Sequence, residues 1–395
     1  MAELSDFGLS FNPFESAGSG APIGNSELWM PERWLSHFNS FFDRMNRVEG
    51  AKAYAVLGEY GSGKSYILRW LEREKFPALR IRSFYFDTPG VQFYDLANYL
   101  LKQIGREPFA KMIWEFVSPS LSNSQSPLFN TNPFHSWLES VKRNRREKEA
   151  IDEIAKGVIQ KGITSVEEIA YRFGMLVVQT LDKPYYEYRD FVAGKPGSLV
   201  AENEEAPYFS ALIRALQLAS NAGGVALLID EFEDVSLNRK LTSRQSGDYL
   251  ATLKRLYNLA SDHDMWIILA MTPQAAEVTE KLQPALWERL ANGEQSKFNI
   301  APLTDDDVKK LLEHRLKGSR LDGWDNSSQV FPFPENIADL LRGDVKSNPR
   351  RLIKLASYTI ATATQEEVSL PFTKEFIEKI QSEFFPQITK DSEKK

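Results

Sequence analysis

The sequence predicts an α/β fold: a parallel sheet flanked by helices, broken by a helical insertion and followed by a small C-terminal helical domain. Three apolar runs carry that expectation. Residues 53–57 lead into a glycine-rich turn, residues 225–229 end in Asp230 and Glu231, and "MWIILAMTP" (residues 265–273) ends at Thr272 and Pro273. Short continuous apolar runs suit strands buried on both faces of a parallel sheet. Such strands need helical crossovers between them. The expected organisation is an extended docking arm over 1–40, a core over 41–300 with an insertion at about 115–205, a helical domain over 301–385 and a disordered tail over 386–395.

The first run and the turn after it read "AVLGEYGSGKSYILRW" from Ala55 to Trp70. The stretch fits G-x-x-x-x-G-K-[ST] at Gly58, Gly63, Lys64 and Ser65. Glycines at 58, 61 and 63 let the backbone turn its N–H groups around phosphate oxygens. Lys64 neutralises the β- and γ-phosphates, and the Ser65 hydroxyl is a candidate Mg²⁺ ligand. A helix begun at this point aims its positive end at the anion. The candidate nucleotide-binding residues are therefore Gly58, Glu59, Tyr60, Gly61, Ser62, Gly63, Lys64, Ser65 and Tyr66. The plainer reading is a glycine turn between strand and helix; strand before and helix after favour the P-loop.

The second run, "GGVALLIDEFEDV" (residues 223–235), places an acid pair at a strand's C-terminal end, where ligands bind in open α/β sheets. Asp230 there is a candidate Mg²⁺ holder and Glu231 a candidate polariser of the attacking water. An acidic strand-to-loop cap is the bland alternative. Thr272, at the end of the third run, is placed to hydrogen-bond the γ-phosphate or the lytic water, or simply closes a strand before Pro273.

Together these motifs resemble an AAA+ P-loop ATPase over roughly residues 40–110 and 205–385. "SNPRRLIKLA" (residues 347–356) resembles the start of a lid helix in the origin-recognition, STAND-like branch. The resemblance implies that an arginine there reaches the γ-phosphate; it maps onto Arg350, with Arg351 as the adjacent alternative. "APLTDDDVKKLLEHRL" (301–316) resembles the first lid segment. Independently of any family, Thr304 suits an N-cap, and Val308, Leu311, Leu312 and Leu316 share one helix face. "ALWERL" (285–290) stands where relatives carry an arginine finger, which implies Arg289. The resemblance further implies ATP and Mg²⁺ as cofactors, homo-oligomers and protein partners. "FNPFESAG" and the Asp-Glu-Phe-Glu string are similar to ATP-binding proteins of prokaryotic anti-phage islands, notably the smaller BREX-system ATPase.

The chain between the two nucleotide motifs is longer than one strand–helix unit needs. Residues 79–90 read as the next strand and 94–105 as its helix. A Ser/Asn/Pro-rich break comes next at 118–134, then helical periodicity at Ile151, Ile154, Ala155, Val158 and Ile159. "TSVEEIAYRFG" (164–174) opens on a capping-box pattern, and its Ala-x-x-x-Gly spacing is that of a helix-turn-helix start. A basic cluster of Lys142, Arg143, Arg145, Arg146 and Lys148 is a candidate DNA-phosphate contact, or else a solvated helix face. The Gly/Ser/Pro-rich N-terminal arm, with Phe11, Phe14 and Trp29 as aromatic anchors, is expected along the ATPase surface near the adenine or a neighbouring subunit.

Composition narrows the classes. With no cysteine, disulfides, thiolate metal sites and cysteine nucleophiles are excluded; the four histidines make no metal-ligand spacing. A net charge of −6 argues against a surface coated for nucleic acid, so any DNA contact must be a local patch. No apolar run approaches a membrane span and no signal-peptide pattern opens the chain, which leads us to expect a soluble, cytoplasmic protein without membrane contact. Three functions remain: an ATPase working on nucleic acid, a slow-turnover ATP switch that assembles protein partners, and a small-substrate phosphotransferase. Glu231 and the lid arginine favour the first two.

Overall fold

The computed structural model describes residues 3–15, 28–122, 133–180, 191, 206–237, 240–260, 264–290, 296–324 and 328–385. Contacts divide the chain into two units. One is Phe41–Leu57 with Leu68–Phe298; the other joins Met1–Ser40, Gly58–Ile67 and Asn299–Lys395.

The first unit is built on a five-stranded sheet of order β2-β3-β4-β1-β5. Its strands are β1 (Lys52–Leu57), β2 (Ile81–Phe86), β3 (Gly224–Ile229), β4 (Met265–Met271) and β5 (Lys297–Asn299). β1 pairs parallel with β4, β4 with β3, and β3 with β2. Every residue of β1, β3 and β4 is buried, as their unbroken apolar runs predict. β1 starts one residue earlier than its apolar run, at Lys52. The Lys52 ammonium pairs with Asp264, donates to the Gly50 carbonyl at 3.1 Å and lies 5.3 Å from the Trp266 ring centroid. Satisfied in this way, a lysine that is 1% exposed can open a buried strand.

The inserted region is helical, with Arg106–Ser122, Phe134–Arg143, Glu147–Gln160, Glu167–Val178 and Ala206–Ala219. The helix Arg106–Ser122 runs through the first part of the expected break and contains Pro119. Its apolar face, Phe109, Ala110, Ile113, Val117 and Leu121, is buried against the other insertion helices and outweighs local composition. The rest of that break, 123–132, lies outside the described residues.

Two readings of residues 164–174 are corrected. The helix begins at Glu167 with Val166 as N-cap, and Thr164 Oγ1 instead accepts the Val166 N–H at 3.1 Å in a short turn. Gly174 ends no helix: it lies inside Glu167–Val178, so the Ala-x-x-x-Gly spacing marks no helix-turn-helix. A Cβ at Gly174 would stand 2.4 Å from the Ile151 carbonyl oxygen. The glycine is there because two helix backbones touch.

In the second unit, Thr304 caps the helix Asp305–Lys317 in a reciprocal box with Asp307, and Val308, Leu311, Leu312 and Leu316 are buried, as read from the sequence. The start of the N-terminal arm, residues 3–15, packs on this C-terminal segment, whereas its last part, read as extended, opens the helix Glu32–Met45. Phe7 meets Phe372 and Phe14 meets Phe333 at centroid distances of 5.7 and 6.2 Å. The Arg320 guanidinium donates to the Phe7 carbonyl at 3.0 Å, and the Ser10 N–H to the Ser319 carbonyl at 2.8 Å. Phe11, expected as an anchor, is exposed; Phe7 and Leu9 are buried in its stead, and Trp29 is half-buried. Residues 16–27 of the arm and the tail 386–395 lie outside the described residues.

Gly174→Ala tests the helix contact. The added methyl meets backbone that cannot swing away, so stability should fall by about 1–3 kcal/mol, read as a lower Tm. Gly247→Ala, also helical and with nothing within 4 Å of the new Cβ, should leave Tm unchanged or raise it.

Candidate nucleotide site

In the second unit the loop from Gly58 onward opens into the helix Lys64–Trp70. Gly61 and Gly63 take φ of +80° and +109°, in the left-handed region that turns successive N–H groups inward. A Cβ at Gly58 would stand 2.4 Å from Ser62 Oγ, and one at Gly63 would meet nothing within 4 Å. Lys64 is the first residue of the helix and is buried; its ammonium donates to the Gly58 carbonyl at 2.9 Å and the Glu59 carbonyl at 3.4 Å. The half-exposed Tyr60 ring lies 5.3 Å from it. Ser62 Oγ is buried without a hydrogen-bond partner. An orphaned buried hydroxyl inside a glycine cradle fits a site that receives phosphate oxygens. Ser65 comes next, in the first turn. Burial pushes the Tyr66 hydroxyl up to about 12, against the opposing pull of Arg315 and of a hydrogen bond with the Trp29 backbone.

The same unit brings the helix read from the sequence as the start of a lid to this loop. Asn348 caps the helix Pro349–Ala363 by accepting the Arg351 N–H on Oδ1 at 3.2 Å. Its Nδ2 donates to the Tyr60 carbonyl at 2.8 Å. The Arg350 N–H donates to the Gly61 carbonyl at 3.3 Å. The Arg351 guanidinium is paired with Asp344 at 2.6 Å, and Arg350 is exposed, with its backbone N–H on the phosphate loop.

In the sheet unit, Asp230 follows β3 and is 2% exposed. Its Oδ1 accepts the Glu231 N–H at 2.9 Å and its Oδ2 accepts the Tyr85 hydroxyl at 2.8 Å. Glu231 adopts φ +48°, an uncommon conformation for a non-glycine residue. That bend turns the chain so that the Phe232 N–H donates to the Ala270 carbonyl of β4 at 3.0 Å. Partial burial raises the Glu231 carboxyl above the ordinary carboxylate range; Asp234, Asp230 and Asp87 raise it further, against the opposing Lys240. Thr272 is buried and caps the helix Pro273–Leu282, its Oγ1 accepting the Ala275 N–H at 3.3 Å. The capping oxygen still carries a hydrogen to donate, so capping does not exclude a phosphate contact. Arg289, half-buried, donates to the Ala285 carbonyl of its own helix and stands near the Tyr257 hydroxyl.

Among the described residues no three His, Cys, Asp or Glu side chains converge as a metal cage. Mg²⁺ is commonly held by one or two protein oxygens together with substrate phosphates and water, so it needs no such cage; the Ser65 hydroxyl and the Asp230 carboxylate are each oxygen donors of the kind it takes. Tyr85, Arg69 and Asn348 were not singled out by the motifs. Asn348 stood in the Asn-Pro-Arg string, where Asn before Pro is an N-cap signal.

A family model described as an AAA domain matches residues 46–279, more than half of the chain. The chain belongs to the AAA domain family. As expected for that family, the fold is an α/β P-loop fold with a parallel sheet flanked by helices. Among solved structures this AAA domain protein is similar to the ORC2 protein of Aeropyrum pernix in ADPNP-ADP complexes, at TM-score 0.50 and 10% identity, over 95% of this chain and 72% of that one. It also aligns with Cdc6p of Pyrobaculum aerophilum at TM-score 0.46 and 15% identity, over 96% of this chain and 73% of that one. At such identities the likeness is one of fold alone. Comparison with curated proteins returns no match.

Gly61→Ala tests the loop–lid contact. The new Cβ would stand 2.6 Å from Asn348 Oδ1 on a backbone at φ +80°. About 1–3 kcal/mol of strain is expected. Nucleotide affinity, measured by titration calorimetry, should drop at least tenfold; an unchanged affinity removes the tight fit from the site.

Proposed function

We propose that the protein is an ATPase that binds Mg-ATP on the loop Gly58–Ser65 and hydrolyses it with Glu231 as the base. One observation carries this reading. β1, β4 and β3 run parallel in register, with Leu57 opposite Met271 and Leu269 opposite Ile229. The glycine loop, Thr272 and the Asp230–Glu231 pair therefore leave the sheet from one edge, the C-terminal one, where α/β folds bind ligands.

The roles follow from charge. Lys64, the loop N–H groups and the helix N-terminus hold the β- and γ-phosphates. Ser65 and Asp230 would hold Mg²⁺, which would supply positive charge to offset that building on the phosphates. Glu231 orients a water and accepts its proton as the oxygen attacks the γ-phosphorus; the bond to the β-phosphate oxygen breaks and ADP leaves. Arg350 approaches the γ-phosphate as the lid arginine, and Thr272 donates its hydroxyl hydrogen to a γ-oxygen or the water.

Lys64→Ala should abolish ATP binding in titration calorimetry, because the loop keeps no other cation. Glu231→Gln should retain ATP but lose about 10²–10⁴-fold in turnover. Hydrolysis should fall at acid pH as the Glu231 carboxylate takes up a proton, and Glu231→Gln should lack that acid limb. Equal turnover in Glu231→Gln and the parent would remove the role.

The proposal extends to self-assembly, with Arg289 completing a neighbour's site, and to DNA and protein partners in a service such as anti-phage defence. Sequence resemblance supports these, together with the exposure of Arg143, Arg145 and Lys148 at the turn between two insertion helices. Arg146 is withdrawn from that patch by a two-pronged bond to Glu149, both contacts at 2.6 Å. Replacing Arg143, Arg145 and Lys148 by Ala should flatten the slope of log affinity for duplex DNA against log salt by about 2.7. A parent protein that binds no DNA with ATP present would turn the reading to a switch on protein partners. Such partners would dock on the aromatic N-terminal arm or on the loop around residues 185–191, of which only Phe191 is among the described residues, and it is buried. Among the described residues no helix is long and apolar enough to cross a membrane.

A further inference from the structure

Asp230 is held from two sides, and one of its partners belongs to none of the nucleotide motifs. Tyr85 lies on β2, one residue before the strand's end, and its side chain is buried. β2 pairs with β3 so that Tyr85 stands opposite Leu228 and Phe86 opposite Ile229, and the Asp230 N–H continues the ladder to the Phe86 carbonyl at 2.9 Å. From this register the Tyr85 hydroxyl donates to Asp230 Oδ2 at 2.8 Å while the Glu231 N–H donates to Oδ1 at 2.9 Å. A carboxylate otherwise turns about a broad, soft torsion. Two donors on its two oxygens fix its plane, and each oxygen keeps a lone pair for a cation or a cation-bound water.

Packing alone does not account for a tyrosine here. Phe84 and Phe86 flank it on the same strand and are buried as plain phenyl rings. A buried hydroxyl added to such a strand is costly unless it is bonded, and this one is bonded to the carboxylate. Behind the ring lies Arg69, from the helix that begins at Lys64. Its guanidinium carbon is 3.4 Å from the Tyr85 ring centroid, and its Nη1 pairs with Glu72 at 2.8 Å. The Gln103 side-chain amide donates to the Tyr85 carbonyl at 2.9 Å, pinning the strand backbone as well. A cation on the ring face draws electron density from the phenol and makes its O–H a stronger donor.

We infer that Tyr85 is a positioning residue that sets the Asp230 carboxylate for a divalent cation, with Arg69 stacked behind it. This rests on the reading of Asp230 as the Mg²⁺ carboxylate. Outer partners of a metal ligand typically matter 10–100-fold in metal affinity.

The test is a divalent-cation titration of the full chain. Mn²⁺ binding is followed by electron paramagnetic resonance with a non-hydrolysable ATP analogue, beside the Mg²⁺ dependence of hydrolysis at saturating ATP. Tyr85→Phe keeps the ring and deletes the hydroxyl. It should raise the cation concentration for half-saturation about 10–100-fold. Metal-free nucleotide affinity in EDTA should stay within about twofold, a split that a merely structural lesion would not produce. Asp230→Asn, run alongside, separates the two layers. If Asp230→Asn leaves the cation dependence unchanged, the metal role of Asp230 fails and this inference with it. If Asp230→Asn shifts it and Tyr85→Phe does not, Tyr85 alone is overturned. Should Tyr85→Phe not fold, Arg69→Met decides: a weaker shift in the same direction supports the inference, and no shift overturns it.

Discussion

The parallel register of β3, β4 and β1 is the constraint on which the rest depends. None of these strands exposes a residue, so each backbone group must pair within the sheet and each side chain must pack on both faces. A slip of one residue would exchange the two faces of a strand. It would also move Asp230 relative to Phe86, whose carbonyl accepts its N–H. The left-handed bend at Glu231 is a consequence of that register. Phe232 must present its N–H to Ala270 on β4, and a chain leaving β3 in extended form would carry it past. The bend costs about 1–3 kcal/mol and is held by the bonds on either side, which is how strained residues persist at functional positions.

In the second unit the equivalent economy lies in Asn348. One side chain caps the lid helix through its oxygen and grips the phosphate loop through its nitrogen. Aspartate would supply only the acceptor, and serine carries a single shorter hydroxyl. Gly61 allows this approach because it has no Cβ to meet the amide. The loop that would take up phosphates and the helix that carries Arg350 are thereby joined by two hydrogen bonds, from Asn348 and from the Arg350 backbone.

What the sequence made legible is what depends on short windows. The apolar runs ended where strands end, the glycine loop led into a helix, and Thr304 proved to be a cap. Thr164 was lost to a local turn with Val166, but the other misreadings share a cause, namely contacts distant in sequence. Pro119 and its neighbouring serines read as a break, yet the helix Arg106–Ser122 survives because Val117 and Leu121 are buried under other helices. Gly174 reads as a helix end, but its partner is the backbone of Ile151, on a different helix. Lys52 reads as outside its strand until Asp264 and Trp266 are placed around it. Tyr85 carries no signal, being one aromatic in the aromatic run Phe84–Phe86; only pairing with β3 gives its hydroxyl an object.

The choice among an ATPase, a switch and a phosphotransferase turns on how water meets the two acids. Asp230 is almost wholly buried and bonded at both oxygens, a fixed group suited to holding a cation in one place. Glu231, the next residue, is exposed by its bend, and its carboxyl is raised by partial burial and by neighbouring acids. A raised carboxyl in contact with solvent can take a proton from water near neutral pH more readily than an unperturbed one. A phosphotransferase needs the reverse arrangement, a base shielded from water so that the acceptor is not outcompeted by hydrolysis. With Glu231 as the proposed base, its exposure supports hydrolysis over transfer to a small acceptor.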